Sequence, residues 1–575
     1  MISFYLCDQN KEKMIRCFVF ITYFIYFLSV VLPLSAQPKY EIRAIWLTTL
    51  NGMDWPQAKA IDAAGVRKQQ NELCRILDKL QSAHFNTVLL QTRIRGDVLY
   101  PSDIETFAEI LTGHAGKDPG YDPLAFAIEE CHKRGMEIHA WMVTVPIGND
   151  QQVESAGKKS LVRKRRDLCK HYRGTWYLDP GNPSTQEYLS KLVCELVGKY
   201  DIDGVHLDYI RYPERASSFP DKDTFKKYGR GMPFTAWRRN NITTIVRRLY
   251  QDVKALKPWV KVSSSPIGKY RDTRRYTSRG WNALHTVYQE AQQWLKEGIQ
   301  DALFPMMYFK ENDFYPFALD WKEHKNNRWI VPGLGVYFLS PSEQDWPLDE
   351  IVRQVNFIRE IGLDGQAYFR NRFVLDNTKQ IWDELTENTY AYPALIPPMT
   401  WIDRIAPDAP THPSVKRTKE GHLMLSWNPS IDNSNQPVTY HLYGSDTYPV
   451  DIRNPKNLIT TYLPTNHYPY KPSQPWLLKR YLCVTAADRF GNESVPLELN
   501  KASEDDLPIL NDGDQVTLPH VKDVRYIRIA TPTGHEVLRI DYANSFNIQQ
   551  LHEGFYWVYL IDKEGRERLV GTILK

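Results

Sequence analysis

The stretch DIDGVHLDYIRYP, residues 201–213, decides how this chain is read. Its Gly204–Ile210 portion looks like a short buried strand. Successive side chains of a strand point to opposite faces, so Val205 and Leu207 share one side while His206 and Asp208 share the other. Seven more runs of this kind follow or precede it: EIRAIWLTT (41–49), NTVLLQTR (86–93), EIHAWMVTV (137–145), VKVSSSPI (260–267), ALFPMMYF (302–309), WIVPGLGVYF (329–338) and GQAYFR (365–370). Helical patterns separate most of them, among them Asn71–Ser82, Pro123–Arg134, Pro183–Lys199, Phe234–Leu256 and Thr286–Glu297. Strands alternating with crossover helices make a parallel sheet, and eight such units over residues 38–396 predict an α/β fold, the TIM (β/α)8 barrel. A doubly wound open sheet is the alternative, but it usually carries a phosphate-binding glycine turn after its first strand. Here that strand runs into LNGMDWP.

A chain of 575 residues is long enough for more than one domain. The proline-rich stretch 393–413 predicts a stiff linker, placed at 397–407. A β-module follows over 408–500. Its HLMLSWNPS, VTYHLYGSD and KRYLCVTAADRFGNES, with a Trp on an early strand and a Tyr opening a late one, resemble a fibronectin type III domain. Residues 506–575 alternate as another small β-domain, similar in pattern to the attachment or sorting modules that end some secreted bacterial proteins.

At the N-terminus a basic start leads into an apolar run ending at Ser35 and Ala36, which reads as a secretory signal over residues 1–36; a retained anchor is the competing reading. No other segment is apolar enough to span a membrane. The expected location is secreted, periplasmic or cell-surface. With 72 Lys and Arg against 68 Asp and Glu, the net charge of +4 is too small to mark a nucleic-acid binder. The cysteines left after the signal have no paired spacing, and no His pattern of metal-binding type is present, so neither cofactor nor metal is expected.

Catalytic groups of such barrels sit at the C-terminal strand ends. Asp208 stands at one, and a buried acid there is costly unless paired or used. The other strand ends add Arg43 and Trp46, Gln91, Arg93 and Asp97, His139 and Trp141, Tyr308, and Arg370, with His206, Tyr209 and Arg211 beside Asp208. Planar faces, hydroxyl partners and carboxylates are the parts of a sugar site. The basic run 158–173 reads as a solvated helix face, with an anionic wall polymer as the alternative partner.

The blocks IRAIWLTTLNGMDWP, LQTRIRGDVLYPS, YDPLAFAIEECHKRGMEIHAWM, LDPGNPSTQEYL and YDIDGVHLDYIRYP, in this order, resemble the glycosyl hydrolase-like 10 family, formerly a domain of unknown function. The resemblance spans nearly the whole barrel. It implies a secreted or periplasmic (β/α)8 domain acting on glycans, some relatives being associated with peptidoglycan glycan strands stripped of peptide. Members often carry a second acid where this chain has Tyr209.

A glycosidase needs two carboxyls across the scissile bond. The expectation is Asp208 as nucleophile or base and Glu311 as acid, with Asp97 and Asp313 as alternatives, and a polysaccharide as the substrate partner. A glycan-binding protein that has lost catalysis is the other reading.

Overall fold

The computed structural model describes residues 37–418, 422–471, 479–500, 510–518 and 523–575. The expected signal segment lies outside them. Eight parallel strands form the main sheet: β1 (Ile42–Leu47), β2 (Thr87–Arg93), β3 (Glu137–Val143), β4 (Gly204–Asp208), β5 (Lys261–Ser264), β6 (Ala302–Leu303), β7 in two pieces (Trp329–Ile330 and Gly333–Leu334) and β8 (Gly365–Tyr368). Neighbours pair in the order β7, β6, β5, β4, β3, β2, β1, β8, β7. The first piece of β7 pairs with β6 and the second with β8, so the sheet curls until both its ends meet in one segment. This is the TIM-barrel-like architecture that the strand and helix spacing predicts.

Alternation along each strand sorts the core into two layers. Ile42, Ala44 and Trp46 of β1, Leu89 of β2 and Trp141 of β3 pack inside the curl. Ile45, Val88, Leu90, Ile138, Ala140, Val205 and Leu207 point outward into the helix layer. That layer is supplied by α1 (Ala63–Ser82), α2 (Pro123–His132), α3 (Pro183–Lys199) and α4 (Phe234–Leu256), followed by α5 (Ala291–Glu297), α6 (Tyr315–Glu323) and α7 (Leu348–Glu360). Local chemistry sets where several begin. Asp62 caps α1 by accepting from Gly65 N, Asp122 caps α2, and Asn182 caps α3, with proline at the first turn of the last two.

Several boundaries differ from the sequence reading, three of them with a visible local cause. The α1 cap starts that helix at Ala63, ahead of the expected Asn71. The run 329–338 keeps only short ladders, because Pro332 has no N–H to give. The expected helix Thr286–Glu297 splits into Ala283–Thr286 and α5, since the buried Gln289 between them turns inward to accept from Ile267 N and donate to Ile210 O.

Past the barrel, Thr411–Arg417, Leu423–Asn428 and His467–Tyr470 form one antiparallel sheet, and Leu458–Leu463, Thr439–Ser445, Tyr481–Ala487 and Leu497–Glu498 another. Their shared core includes Trp427, Leu442 and Val484. Residues 510–575 build a second β-rich pair of sheets around Ile527, Ile529 and Val558. The proline-rich connection is no free spacer. Ile396 and Met399 pack, together with Phe490 of the β-module, into the cluster inside the curled sheet, and Trp401 Nε1 donates to Asp301 at 2.9 Å. Around this contact Arg489 pairs with Asp201 at 2.7 Å and Lys39 with Glu493 at 2.5 Å. The module thus closes the end of the barrel opposite the C-terminal strand ends.

Candidate active site

Asp208 is the last residue of β4, in register with Val143 of β3. Its side chain lines a cavity of about 720 Å³ over the C-terminal strand ends. Oδ1 accepts from Ser265 Oγ at 2.7 Å and from Tyr209 N at 2.8 Å, while Oδ2 accepts from Trp141 Nε1 at 3.0 Å. A carboxylate oxygen has two lone-pair sites, so Oδ1 is filled and Oδ2 keeps one. Burial pushes the Asp208 carboxyl above the usual carboxylate range, opposed by these hydrogen bonds and by the charge of Arg211. The group is held in one orientation and kept more basic than a surface aspartate.

Aromatic residues form much of the wall. Tyr308 and Phe369 stack with ring centroids 5.5 Å apart, and Phe369 meets Trp46 edge-on at 6.1 Å. Burial, then the nearby Asp208 charge, raises the Tyr308 phenol well above its ordinary value, which keeps it a donor. Gln91 lines the same cavity, but its Oε1 is already taken by Thr48 Oγ1, Thr49 N and Leu50 N, so it shapes the β1 loop. Tyr209, left-handed at φ 50° and 42% exposed, projects over the cavity, and the Arg211 guanidinium lies 4.6 Å above its ring. Arg370 also lines the cavity, tied to Asp54 at 2.6 Å.

Several expected contacts are corrected. Arg43 faces the helix layer near the start of β1, pairs with Glu41 at 2.8 Å and covers the Tyr390 ring, at the opposite end of the strand from the cavity. A register shift between Gln91 and Arg93 turns Arg93 away from the cavity; it binds Glu105 at 2.7 Å and the carbonyls of Val143 and Thr144 at and just past the end of β3. His206 does share the inward side with Asp208, but one layer down, where it is fully buried between Trp46 Nε1 and Ser263 Oγ. Burial, then the nearby His139, holds its imidazole neutral. His139 lies deeper still, against Glu137 at 3.1 Å. The period of two that placed these histidines inside does not place them at the mouth.

The carboxylate partner is also corrected. Glu311 is exposed in a short turn and does not line the cavity, and Asp313 is bound to Lys269 at 2.6 Å. Asp97 lines a separate cavity of about 470 Å³, where burial pushes it up to about 6. Among the described residues the acids that line the Asp208 cavity are Asp208 itself and Glu214. Glu214 stands on the loop after β4, its carboxylate 3.6 Å from Arg211.

The family described as glycosyl hydrolase-like 10 matches residues 41–337, the segment that carries β1 to β7 and Asp208. This chain belongs to the glycosyl hydrolase-like 10 family. Glycosyl hydrolase YngK of Bacillus subtilis (strain 168) is 31% identical over 506 residues, covering 84% of this chain and 98% of that protein. Glycosyl hydrolase DigH of Escherichia coli (strain K12) is 33% identical over 294 residues, 48% of this chain and 66% of that one. Of solved structures, the PgaB (BpsB) glycoside hydrolase domain from Bordetella bronchiseptica aligns with TM-score 0.43 at 14% identity, over 61% of this chain and 99% of that chain.

In this glycosyl hydrolase-like 10 chain the sequence reading passed over three contributors. Ser265 follows β5 and orients Asp208, a role visible only once β4 and β5 are known to be neighbours. Glu214, six residues past Asp208 on one loop, was the available signal for a second acid. The insertion after β3 folds into the sheet Pro146–Asn149, Cys169–Tyr172 and Thr175–Leu178, and brings Tyr172, Arg173 and Tyr177 to the cavity. The basic run therefore ends in a cavity-lining hairpin. Asp320, Glu323 and His324 are grouped closely enough to hold a cation, but they lie on and just after α6, outside the cavity, with Glu323 bound to Arg275. Among the described residues no helix is long and apolar enough to cross a membrane.

Proposed function

We propose that this protein is a secreted glycoside hydrolase that cleaves a polysaccharide in the Asp208 cavity, with peptidoglycan glycan strands as the first substrate to try. One observation carries the reading: a buried carboxylate whose neighbours fix Oδ1 and leave an Oδ2 site, on the wall of a cavity lined with aromatic faces. In this reading Oδ2 attacks the anomeric carbon or takes a proton from the attacking water. Glu214 protonates the leaving oxygen. Glu214 lines the same cavity as Asp208, on the loop after β4, with the Arg211 guanidinium 3.6 Å away. Trp46, Trp141, Tyr308 and Phe369 supply the apolar platform for the ring. The β-module after the barrel is read as a fibronectin type III-like domain, on the strength of its three- and four-stranded antiparallel sheets.

The test is product analysis on a glycan panel that includes peptide-free peptidoglycan strands. The wild type is expected to release reducing ends from at least one glycan. Glu214→Gln is expected to lose activity on natural glycosides by about a hundredfold while sparing aryl glycosides with good leaving groups, the pattern of a missing acid. Binding without cleavage of any glycan would instead support a lectin-like protein on this scaffold.

A further inference from the structure

The cavity lining carries four guanidinium groups, Arg95, Arg173, Arg211 and Arg370, against two carboxylates, Asp208 and Glu214. Neutral sugars do not require such an excess. Taken one at a time, the arginines differ in what already satisfies them. Arg370 is matched by Asp54 behind the wall, at 2.6 Å. Arg95 donates from Nη1 to a neutral partner, Gln152 Oε1, at 2.7 Å. Arg173, exposed at the hairpin turn, has the Tyr172 ring 5.4 Å from its guanidinium carbon and, among the described residues, no carboxylate in ion-pair range.

Arg211 is the most informative of the four. It is 5% exposed, its Nε is buried with no hydrogen-bond partner, and the nearest carboxylate oxygen, on Glu214, stands 3.6 Å from its Nη2. A buried guanidinium left short of acceptors is costly unless a ligand supplies them. The planar guanidinium, lying over the Tyr209 ring, is suited to the two parallel hydrogen bonds that a carboxylate accepts.

We propose that the sugar bound beside Asp208 carries a carboxylate, taken by Arg211 with Arg95 and Arg173 nearby, and that this charge selects the substrate. The inference rests on the reading of the cavity as a glycoside hydrolase site. A lactyl ether on an amino sugar and the C6 carboxylate of a uronic acid share this chemistry.

Calorimetric binding to Asp208→Asn, which prevents turnover, tests it with four tetrasaccharides. These are chitotetraose, an N-acetylglucosamine–N-acetylmuramic acid tetrasaccharide free of peptide, its carboxyl-reduced form, and a hyaluronan tetrasaccharide. One of the acidic ligands is expected to bind at least about tenfold tighter than the two neutral ones, the value of one charge-assisted hydrogen bond; which one identifies the source of the carboxylate. Arg211→Gln and Arg173→Gln, the second on an exposed turn and so safe for folding, are each expected to remove that preference, while Arg67→Gln on the outer helix α1 retains it. Equal binding of charged and neutral ligands, or binding of none, would overturn the proposal. If the wild type cleaves chitotetraose as fast as the acidic strands, the selection fails while the hydrolase stands. If binding is charge-selective but nothing is cleaved, the hydrolase reading fails and the carboxylate site stands.

Discussion

Three donors converge on the Asp208 carboxylate from β3, β4 and β5 or their ends. Trp141 comes from β3, Tyr209 N follows Asp208 itself, and Ser265 follows β5. Each favours the ionised form, while burial opposes it. Removing one donor therefore raises the carboxyl further. For Ser265→Ala the acid limb of the kcat/KM profile is expected to move to higher pH, with the alkaline limb unchanged; a profile identical to wild type would mean that Ser265 does not tune the base. Asp208 was legible in the sequence because a lone acid at a strand end is conspicuous. The acid that shares its cavity was not, because Glu311 and Glu214 both stand on polar loops and only the folded chain shows which of them lines the cavity.

At the scale of elements, the sheet depends on close approach between its first and last strands. Gly365 opens β8 at φ +139°, and a Cβ there would lie 2.0 Å from the Ile42 carbonyl oxygen of β1. Gly365→Ala is expected to destabilise the protein by about 3 kcal/mol in urea unfolding, from strain and overpacking together. A change under about 0.5 kcal/mol would show that the β1–β8 seam yields freely. Strands such as β1, β2 and β4 were readable because both faces are apolar or the alternation is clean. The short extent of β6 and the break in β7 were not, since prolines at 305 and 332 interrupt hydrogen bonding without disturbing the apolar pattern. Arg93 misleads for a related reason: a register shift next to Gln91 reverses the side on which the next side chain emerges.

For the whole molecule, the β-module is part of the barrel's structure. Phe490, 6% exposed, joins Ile396, Met399 and the inward residues of β1 in one cluster. Phe490→Ala is expected to cost about 3–5 kcal/mol, and to lower the unfolding of barrel and module together in calorimetry. Loss of the module's transition with the barrel's left unchanged would mean that the two are energetically separate. The proline-rich composition of residues 393–413 announced a boundary but not this contact, because proline content reports backbone stiffness and says nothing about which apolar side chains find a partner.

Whether the Asp208 carboxylate performs the proposed chemistry is tested most directly by reducing-end release from peptide-free glycan strands by the wild type and by Asp208→Asn at matched, circular-dichroism-verified folding. The variant is expected to lose about a thousandfold or more in kcat with strand binding kept within a few-fold, as a catalytic role for Asp208 requires. A variant that cleaves these strands at the wild-type rate would contradict it.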